Sequence, residues 1–217
     1  MIGRIPSVLC FGDSNTWGSD PSTGERFAPD VRWPGVLRRE LGNGWQVVEE
    51  GLPGRTAAAH NPGAPHLTAL PYLLPALESH APLDVVLIML GTNDPQVRFG
   101  LSAGVIADDV LGLAELALRS RCGPGGRPPR VLVVAPPPLR EMPDPFLDAV
   151  YGPAGPETSR ELTRLLPHAA AFLGDGCEFF DAGTVAQFSE VDGLHLDPAG
   201  HEALGRALAP VVRGDGA

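Results

Sequence analysis

The strongest constraint in this sequence is a recurring pattern of short apolar segments, each bounded by turn residues. The five segments are 7–11, 45–50, 84–90, 130–135 and 177–181. Runs of this length and composition are typical of strands that are buried on both faces of a parallel sheet. Segments with helical spacing of apolar residues alternate with them, at 31–41, 67–77, 105–118, 157–172 and 199–212. The last of these has Asp197 as its expected N-cap and Pro198 at its first helical position.

Alternation of strands and helices predicts an α/β fold with one parallel sheet and right-handed crossovers. We expect three layers, α/β/α, around a five-stranded parallel sheet with a flavodoxin-like strand order. The chain has 217 residues, which is enough for one well-buried core and short for two full domains. A single domain over residues 1–217 is therefore expected.

The charge of the chain restricts its partners. The formal net charge is −10, and all 16 basic residues are arginine. Nucleic acids and anionic membranes are themselves negatively charged, so neither is expected as a partner. Because the chain contains no lysine, Schiff-base chemistry and a P-loop lysine are excluded.

Cysteine usage and the lengths of the apolar runs favour a cytoplasmic protein. Cys10, Cys122 and Cys177 are far apart and form no C-x-x-C pair, so neither a disulfide framework nor a zinc site is expected. The chain begins Met-Ile-Gly-Arg-Ile-Pro-Ser, without a long apolar signal region, and no apolar run reaches transmembrane length. We therefore predict a cytoplasmic location.

Two predicted loops, 18–30 and 136–156, are longer than a simple connection requires. Long loops in a compact α/β domain are often functional. The second loop contains Phe146, Leu147, Val150 and Tyr151, large apolar side chains that need cover. We expect this loop to line a pocket or a subunit interface.

Four groups of residues follow predicted strands, at the edge of a parallel sheet where ligands bind. They are Gly12-Asp13-Ser14-Asn15, Gly51, Gly91-Thr92-Asn93-Asp94 and Asp192-Gly193-Leu194-His195. Each group also has a purely structural interpretation, as a helix cap, a turn glycine, an Asx turn or a structural histidine. Together, however, they supply a nucleophile, a base, an orienting carboxylate and oxyanion donors.

These groups predict a serine-based acyl-transfer site. Ser14 is the expected nucleophile, His195 the general base, and Asp192 the carboxylate that orients His195. The expected oxyanion donors are the backbone N–H groups of Ser14 and Gly51 and the side-chain amide of Asn93. Asp94 is expected to brace the loop that carries Asn93.

Substrate contacts are expected from side chains around this site and on the second long loop: Asp13, Asn15, Trp17, Phe146, Val150 and Leu194. No metal is expected. His195 and His201 are close in sequence, but His201 falls inside the last helix, and no further His or Cys cluster completes a ligand set. Cys10 lies inside the first strand and is expected to be a small core residue.

At this point the sequence resembles the SGNH, or GDSL, hydrolases. The resemblance is carried by Gly12-Asp13-Ser14, Gly51, Gly91-Thr92-Asn93-Asp94 and Asp192-Gly193-Leu194-His195, which occur in order over nearly the whole chain. The four residues of the family name map onto Ser14, Gly51, Asn93 and His195. Longer stretches at 9–14, 26–33, 88–94 and 131–134 are similar to a bacterial arylesterase and acyltransferase branch, some members of which make peracids.

The resemblance implies short-chain acyl esters as donors, and water, an alcohol or peroxide as the acceptor. It implies no metal, no cofactor and a homo-oligomer whose packing narrows the entrance to the active site. Asn15 stands where an apolar residue is expected in that branch, so the alcohol or acyl preference could differ here.

Other functions remain open at the level of sequence. Relatives with the same residues could act on acetylated sugars, thioesters or lysophospholipids. A non-catalytic α/β binding module could use the same crevice. A nucleotide-binding protein is disfavoured, since no G-x-G-x-x-G or Walker pattern follows a strand.

Overall fold

The computed structural model describes residues 4–215. Within this range, five strands form one parallel sheet. The strands are β1 (Ser7–Gly12), β2 (Gln46–Gly51), β3 (Val85–Met89), β4 (Arg130–Ala135) and β5 (Cys177–Asp181). Their order across the sheet is β2-β1-β3-β4-β5, with every neighbouring pair parallel. This is the expected flavodoxin-like order. Residues 1–3, which belong to the segment where no signal region was predicted, lie outside the described range, as do residues 216 and 217.

Seven α-helices occur within the described residues. They are α1 (Ser14–Trp17), α2 (Trp33–Leu41), α3 (Leu70–His80), α4 (Ala103–Arg119), α5 (Pro145–Tyr151), α6 (Gly155–Phe172) and α7 (Pro198–Arg213). Two of them, α1 and α5, were not predicted, because four and seven residues are too few to show a helical period. The N-cap predicted for α7 is confirmed, since Asp197 Oδ1 accepts a hydrogen bond from the Gly200 N–H at 2.7 Å.

Helices cover both faces of the sheet, which confirms the three-layer arrangement. Leu9 and Phe11 of β1 are fully buried in a core formed with apolar residues of α3, α4 and α6. Val8 and Cys10, which point to the opposite face, are fully buried against residues of α2 and α7. Cys10 is therefore a core residue, as expected. None of the helices between residues 4 and 215 is long and apolar enough to cross a membrane.

The topology brings the carboxyl ends of β1, β2 and β3 to one edge of the sheet. Parallel pairing places Gly12 beside Gly51 on one side and beside Met89 on the other. The residues that follow these strands consequently emerge next to one another, although they are far apart in sequence. The segment between β5 and α7, residues 182–197, is called the His195 loop below.

Candidate active site

Three side chains form a continuous hydrogen-bond chain at this edge. Ser14 is the first residue of α1, directly beyond β1, and its Oγ lies 2.9 Å from His195 Nε2. The other ring nitrogen, His195 Nδ1, lies 2.6 Å from Asp192 Oδ2. The structure therefore brings together the three residues expected to be nucleophile, base and orienting carboxylate.

Asp192 is held in place from two directions. Its Oδ1 accepts hydrogen bonds from the backbone N–H groups of Leu194 at 3.0 Å and His195 at 3.1 Å, while Oδ2 faces the imidazole. Burial by itself raises the pKa of Asp192, but the hydrogen bond and charge of His195, with the two backbone N–H groups, outweigh burial and lower it. Asp192 is thus favoured as a carboxylate that can orient His195 and stabilise its cationic form.

Asn93 lies across the cavity from this chain, in the segment that follows β3, with its amide orientation fixed. Its Nδ2 donates to the Arg55 carbonyl at 3.0 Å. Its Oδ1 faces the Tyr151 hydroxyl at 3.4 Å and Gln96 Nε2 at 3.5 Å. Because one N–H of the amide is used by Arg55, the other remains to bind a substrate oxygen in the cavity that Asn93 lines.

The expectation for Gly51 was wrong, because this residue does not face the cavity. A Cβ at Gly51 would lie 2.1 Å from the Trp17 backbone nitrogen and 2.6 Å from the Thr16 carbonyl carbon. A glycine is needed here so that the end of β2 can pack against the backbone of α1. The cavity beside Ser14 is instead lined by Gly54.

Gly54 belongs to residues 52–57, called the oxyanion loop below. Its φ of +78° lies in the region that favours glycine. Among residues 4–215, no acceptor is found for the backbone N–H of either Gly54 or Ser14. Both donors are therefore free to bind an oxygen that carries negative charge.

Asn15 does not contact the cavity, contrary to expectation. It is 1% exposed and links α1 to the His195 loop, since its Nδ2 donates to the Leu194 carbonyl and its Oδ1 accepts from the Leu196 N–H, both at 3.0 Å. The amide thus clamps the backbone on either side of His195. The suggestion that Asn15 changes the alcohol or acyl preference by direct contact is not supported by this placement.

Asp13 and Trp17 also lie outside the cavity lining, so both expectations of substrate contact were wrong. Asp13 is buried behind Ser14, where its Oδ1 accepts from the Asn15 N–H at 2.9 Å and caps α1. Burial raises the pKa of Asp13 above its ordinary value. The ring of Trp17 is covered by the Arg26 guanidinium, which lies 5.2 Å from the ring centre. Both side chains therefore support the nucleophile segment from outside the cavity.

The cavity above Ser14 has a volume of about 820 Å³ and a largely apolar wall. Phe146 and Val150 of α5 line it, together with Leu194 of the His195 loop, and their contact with substrate stays a prediction. Further apolar lining comes from Val97, Leu147 and Val191, and polar lining from Ser19, Asp20, Arg98 and Asp144. Both long loops singled out in the sequence therefore contribute to the cavity.

Asp94 and His201 are buried, and each accepts a hydrogen bond from a backbone N–H near the site. Asp94 Oδ1 accepts from the Ala57 N–H at 2.9 Å and so braces the oxyanion loop, whereas the sequence predicted that it braces the loop that carries Asn93. Burial, with the nearby charges of Asp13 and Asp109, raises the pKa of Asp94 to about 7. His201 belongs to α7 and faces the start of α2, where its Nδ1 accepts from the Trp33 N–H at 3.3 Å, and burial lowers its pKa to about 3.

Residues 4–215 contain no group of three His, Cys, Asp or Glu side chains placed to hold a metal ion. His195 and His201, the pair that is close in sequence, have separate environments. His195 faces Ser14 and Asp192, whereas His201 packs edge-on against Phe27, with 5.6 Å between ring centres.

Fold and site together define a class of protein. A serine hydroxyl bonded to an imidazole, which is itself oriented by a carboxylate, at the carboxyl edge of a parallel sheet, is the arrangement of a serine hydrolase. A family profile for GDSL-like lipases and acylhydrolases matches residues 10–203. The chain belongs to this family and is an ester-cleaving hydrolase.

Solved structures agree with this assignment. Native M. smegmatis aryl esterase is 44% identical, with a TM-score of 0.91 over 96% of this chain and 99% of that one. Its inhibitor-bound form is 43% identical, with the same TM-score and coverage. A carbohydrate acetylesterase from Sinorhizobium meliloti is 41% identical, again with a TM-score of 0.91 over 96% and 99% of the two chains. A search of curated protein sequences gives no match.

Sequence reasoning missed three contributors to the site: Gly54, the clamp formed by Asn15, and the Tyr151 hydroxyl near Asn93. A signal for Gly54 was present, since Gly51-Leu52-Pro53-Gly54 holds two glycines three positions apart. Gly51 was predicted to be the oxyanion donor because it directly follows the predicted strand, whereas Gly54 is the glycine that lines the cavity. No pattern in the sequence indicates that Asn15 bonds to residues 194 and 196.

Proposed function

We propose that this protein cleaves short-chain acyl esters through an acyl-enzyme on Ser14. The observation that carries the proposal is the hydrogen-bond chain from Ser14 Oγ through His195 to Asp192, with distances of 2.9 and 2.6 Å. In this arrangement His195 Nε2 can take the hydroxyl proton as Oγ attacks, while the Asp192 carboxylate stabilises the resulting imidazolium.

The first half of the reaction forms the acyl-enzyme. Ser14 Oγ bonds to the ester carbonyl carbon, its proton passes to His195 Nε2, and the carbonyl oxygen becomes an oxyanion. The N–H groups of Ser14 and Gly54 and the Asn93 amide bind this oxyanion. The bond to the leaving oxygen then breaks, and the proton moves from His195 to that oxygen, which releases the alcohol.

The second half transfers the acyl group. His195 removes a proton from water, an alcohol or hydrogen peroxide as its oxygen attacks the acyl carbon, and then returns the proton to Ser14 Oγ. The apolar wall formed by Phe146, Leu147 and Val150 favours an acceptor that contacts it, which water cannot do. We propose that alcohols therefore compete with water, that peroxide is a further acceptor, as the resemblance implies, and that no cofactor takes part.

Removal of the nucleophile tests the central proposal. Ser14→Ala should lower the rate of p-nitrophenyl acetate hydrolysis by several orders of magnitude and leave the fold intact, because the covalent step is lost. Ser120→Ala is the matched control, since within residues 4–215 its hydroxyl bonds only to the Ala117 carbonyl and to the Cys122 N–H near the end of α4. A folded Ser14→Ala protein with near-wild-type turnover would refute the acyl-enzyme.

Graded substrates test the finer parts. Activity on p-nitrophenyl esters should fall as the acyl chain lengthens, and a vinyl ester with benzyl alcohol in buffer should yield the benzyl ester. Free acid as the sole product at saturating alcohol would show a plain hydrolase.

A second candidate substrate class is the acetylated sugar. Two observations favour it: the 41% identity to a carbohydrate acetylesterase, and the polar cavity residues Ser19, Asp20, Arg98 and Asp144, which could bind hydroxyl groups. Comparison of kcat/KM for acetylated xylose and for phenyl acetate distinguishes this class from aryl esters.

We further propose a cytoplasmic homo-oligomer with subunits packed around the cavity mouth. Phe146 is 73% exposed, Val97 61% and Val191 54%, and all three line the same cavity. Apolar side chains grouped in this way are typical of protein interfaces. Light scattering should give a mass above 22.8 kDa, whereas a clean monomer would exclude the oligomer.

A further inference from the structure

Arg55 is a buried cation in the oxyanion loop, between Gly54 and the residues braced by Asp94. It is 2% exposed, and its guanidinium packs against two aromatic rings, 4.2 Å from the centre of Phe11 and 5.1 Å from that of Tyr72. Arginine is rarely buried without a paired carboxylate, because the charge loses its hydration. The position therefore needs a physical reason.

The hydrogen bonds of this guanidinium go to backbone carbonyls at the edge of the sheet. Arg55 Nη1 donates to the Gly12 carbonyl at 2.9 Å and also to the Glu50 carbonyl. The Glu50 carboxylate has other partners, since Oε1 lies 2.8 Å from His80 Nε2 and Oε2 accepts from the Tyr72 hydroxyl at 3.3 Å. Arg55 thus ties the oxyanion loop to the ends of β1 and β2.

Both ends of this connection reach the reacting groups. Gly12 is separated from Ser14 by one residue, and its carbonyl also accepts from the Leu52 N–H at 3.1 Å. On the loop side, the Arg55 carbonyl receives the Asn93 amide at 3.0 Å, and the preceding residue supplies the free Gly54 N–H. One residue therefore connects the nucleophile segment to both of the other proposed oxyanion donors, Gly54 and Asn93.

We propose that Arg55 is a positioning residue that holds the Gly54 N–H and the Asn93 amide at a fixed distance from Ser14. The inference rests on the proposed function. Donors that are fixed before the reaction stabilise an oxyanion without a reorganisation cost, so their placement affects the transition state more than the bound substrate. Arg55 acts through these donors and does not itself touch the substrate cavity beside Ser14.

Arg55→Met keeps a flexible apolar side chain against the two rings but removes both hydrogen bonds to the Gly12 and Glu50 carbonyls. We expect kcat to fall about 10- to 100-fold with little change in KM, since a small displacement of the donors weakens transition-state binding. Arg55→Lys, which keeps the charge but not the planar fork, should lie between Met and wild type. A kcat within about twofold of wild type in the folded Met variant overturns the proposal.

Arg130→Met is the matched control. Arg130 also donates to two backbone carbonyls, those of Val211 and Val212, both at 3.1 Å, but it begins β4 at the opposite end of the sheet. Unlike Arg55, it is also paired with a carboxylate, that of Glu178, at 2.7 Å. Its loss should lower the melting temperature without changing kcat. An equal kcat loss in both Arg variants would show a general effect on the fold and overturn the positioning role.

A double-mutant cycle gives a readout that a merely structural residue would not affect. If Arg55 acts through the oxyanion donors, Arg55→Met should cost much less in an Asn93→Ala background than in wild type. If the fold-loss of kcat in the double variant equals the product of the two single losses, the inference is overturned. Should Arg55→Met fail to fold, Arg55→Lys enters the same cycle with the same criteria.

Ser14→Ala separates the two levels of failure. If Ser14→Ala retains turnover, the proposed function is wrong. If Ser14→Ala is inactive, the proposed function stands. The role of Arg55 alone is then wrong if the Arg55 variants keep the wild-type kcat, or if their loss of kcat simply multiplies with that of Asn93→Ala.

Discussion

Individual side chains at the Ser14 site are fixed by hydrogen bonds to backbone groups, some of them in distant segments. Asp192 accepts from residues 194 and 195, Asn93 donates to the Arg55 carbonyl, and Asn15 bonds to residues 194 and 196. Each bond restricts a rotamer before substrate arrives. Preorganisation of this kind is what makes oxyanion donors effective, because no free energy is spent on orienting them during the reaction.

Asn93→Ala provides a test of that role. The variant should lower kcat about 100-fold while KM stays nearly constant, because the lost N–H bonds to the oxyanion and contributes little to the bound ester. Steady-state kinetics on p-nitrophenyl acetate measure the two parameters. Asn43→Ala, at an exposed position beyond α2, is the control and should behave as wild type. A rise in KM alone would instead assign Asn93 to ground-state binding.

Short elements carry the cavity wall, and their stability depends on capping. Helix α5 has only seven residues, too few to be stable through its own hydrogen bonds. Asp144 Oδ1 accepts from the N–H groups of Phe146 at 2.7 Å and Leu147 at 3.1 Å, and Pro145 occupies the first turn. The cap therefore holds in place the two side chains that form much of the apolar wall.

Asp144→Ala should loosen α5, because a lost N-cap costs about 1 kcal/mol of helix stability. We expect faster hydrogen exchange at residues 146–151 and a higher KM for aryl esters, with the global melting temperature little changed. Asp144→Asn is the matched control, since Asn caps as well as Asp but removes the charge. If Asn raises KM as much as Ala does, the charge of Asp144 and not its cap is responsible.

Two buried groups make the stability of the whole molecule depend on pH in opposite directions. The pKa of Asp94 is raised by burial to about 7, so from about pH 4 to 7 the folded state keeps a proton that the unfolded state has lost. Stability from this group falls as pH rises through that window. His201, with a pKa lowered by burial to about 3, acts oppositely, since below about pH 6.5 only the unfolded state is protonated.

The two effects partly cancel between about pH 4 and 6.5, and Asp94→Asn should expose the contribution of His201. Asn can still accept from the Ala57 N–H but does not titrate in this range. Urea unfolding should show the variant gaining stability relative to wild type between pH 5 and pH 8. The His201→Gln variant should gain stability relative to wild type as pH falls from 6.5 to 4. An Asp94→Asn difference that is the same at pH 5 and 8 would contradict the raised pKa.

Local sequence patterns were sufficient to predict the sheet and most of the catalytic geometry. The apolar runs predicted all five strands to within one residue at each end. The central strands β1 and β3 are buried on both faces and therefore continuously apolar, whereas the edge strands β2 and β5 are partly exposed and carry charged residues. Parallel pairing then required Ser14, Asn93 and the Asp192–His195 segment to meet at one edge. These predictions depend only on periodicity and on the direction of the strands.

Tertiary packing decided which groups in each segment face the cavity. Gly51 rather than Gly54 looked like the oxyanion donor, but close contact between β2 and α1 turns Gly51 into a packing position. Asn15 and Trp17 looked like substrate contacts, yet one bonds to the His195 loop and the other lies under Arg26. The direction of a loop N–H or side chain depends on partners elsewhere in the chain, some of them more than 100 residues away, such as Leu194 for Asn15, and no local pattern records them.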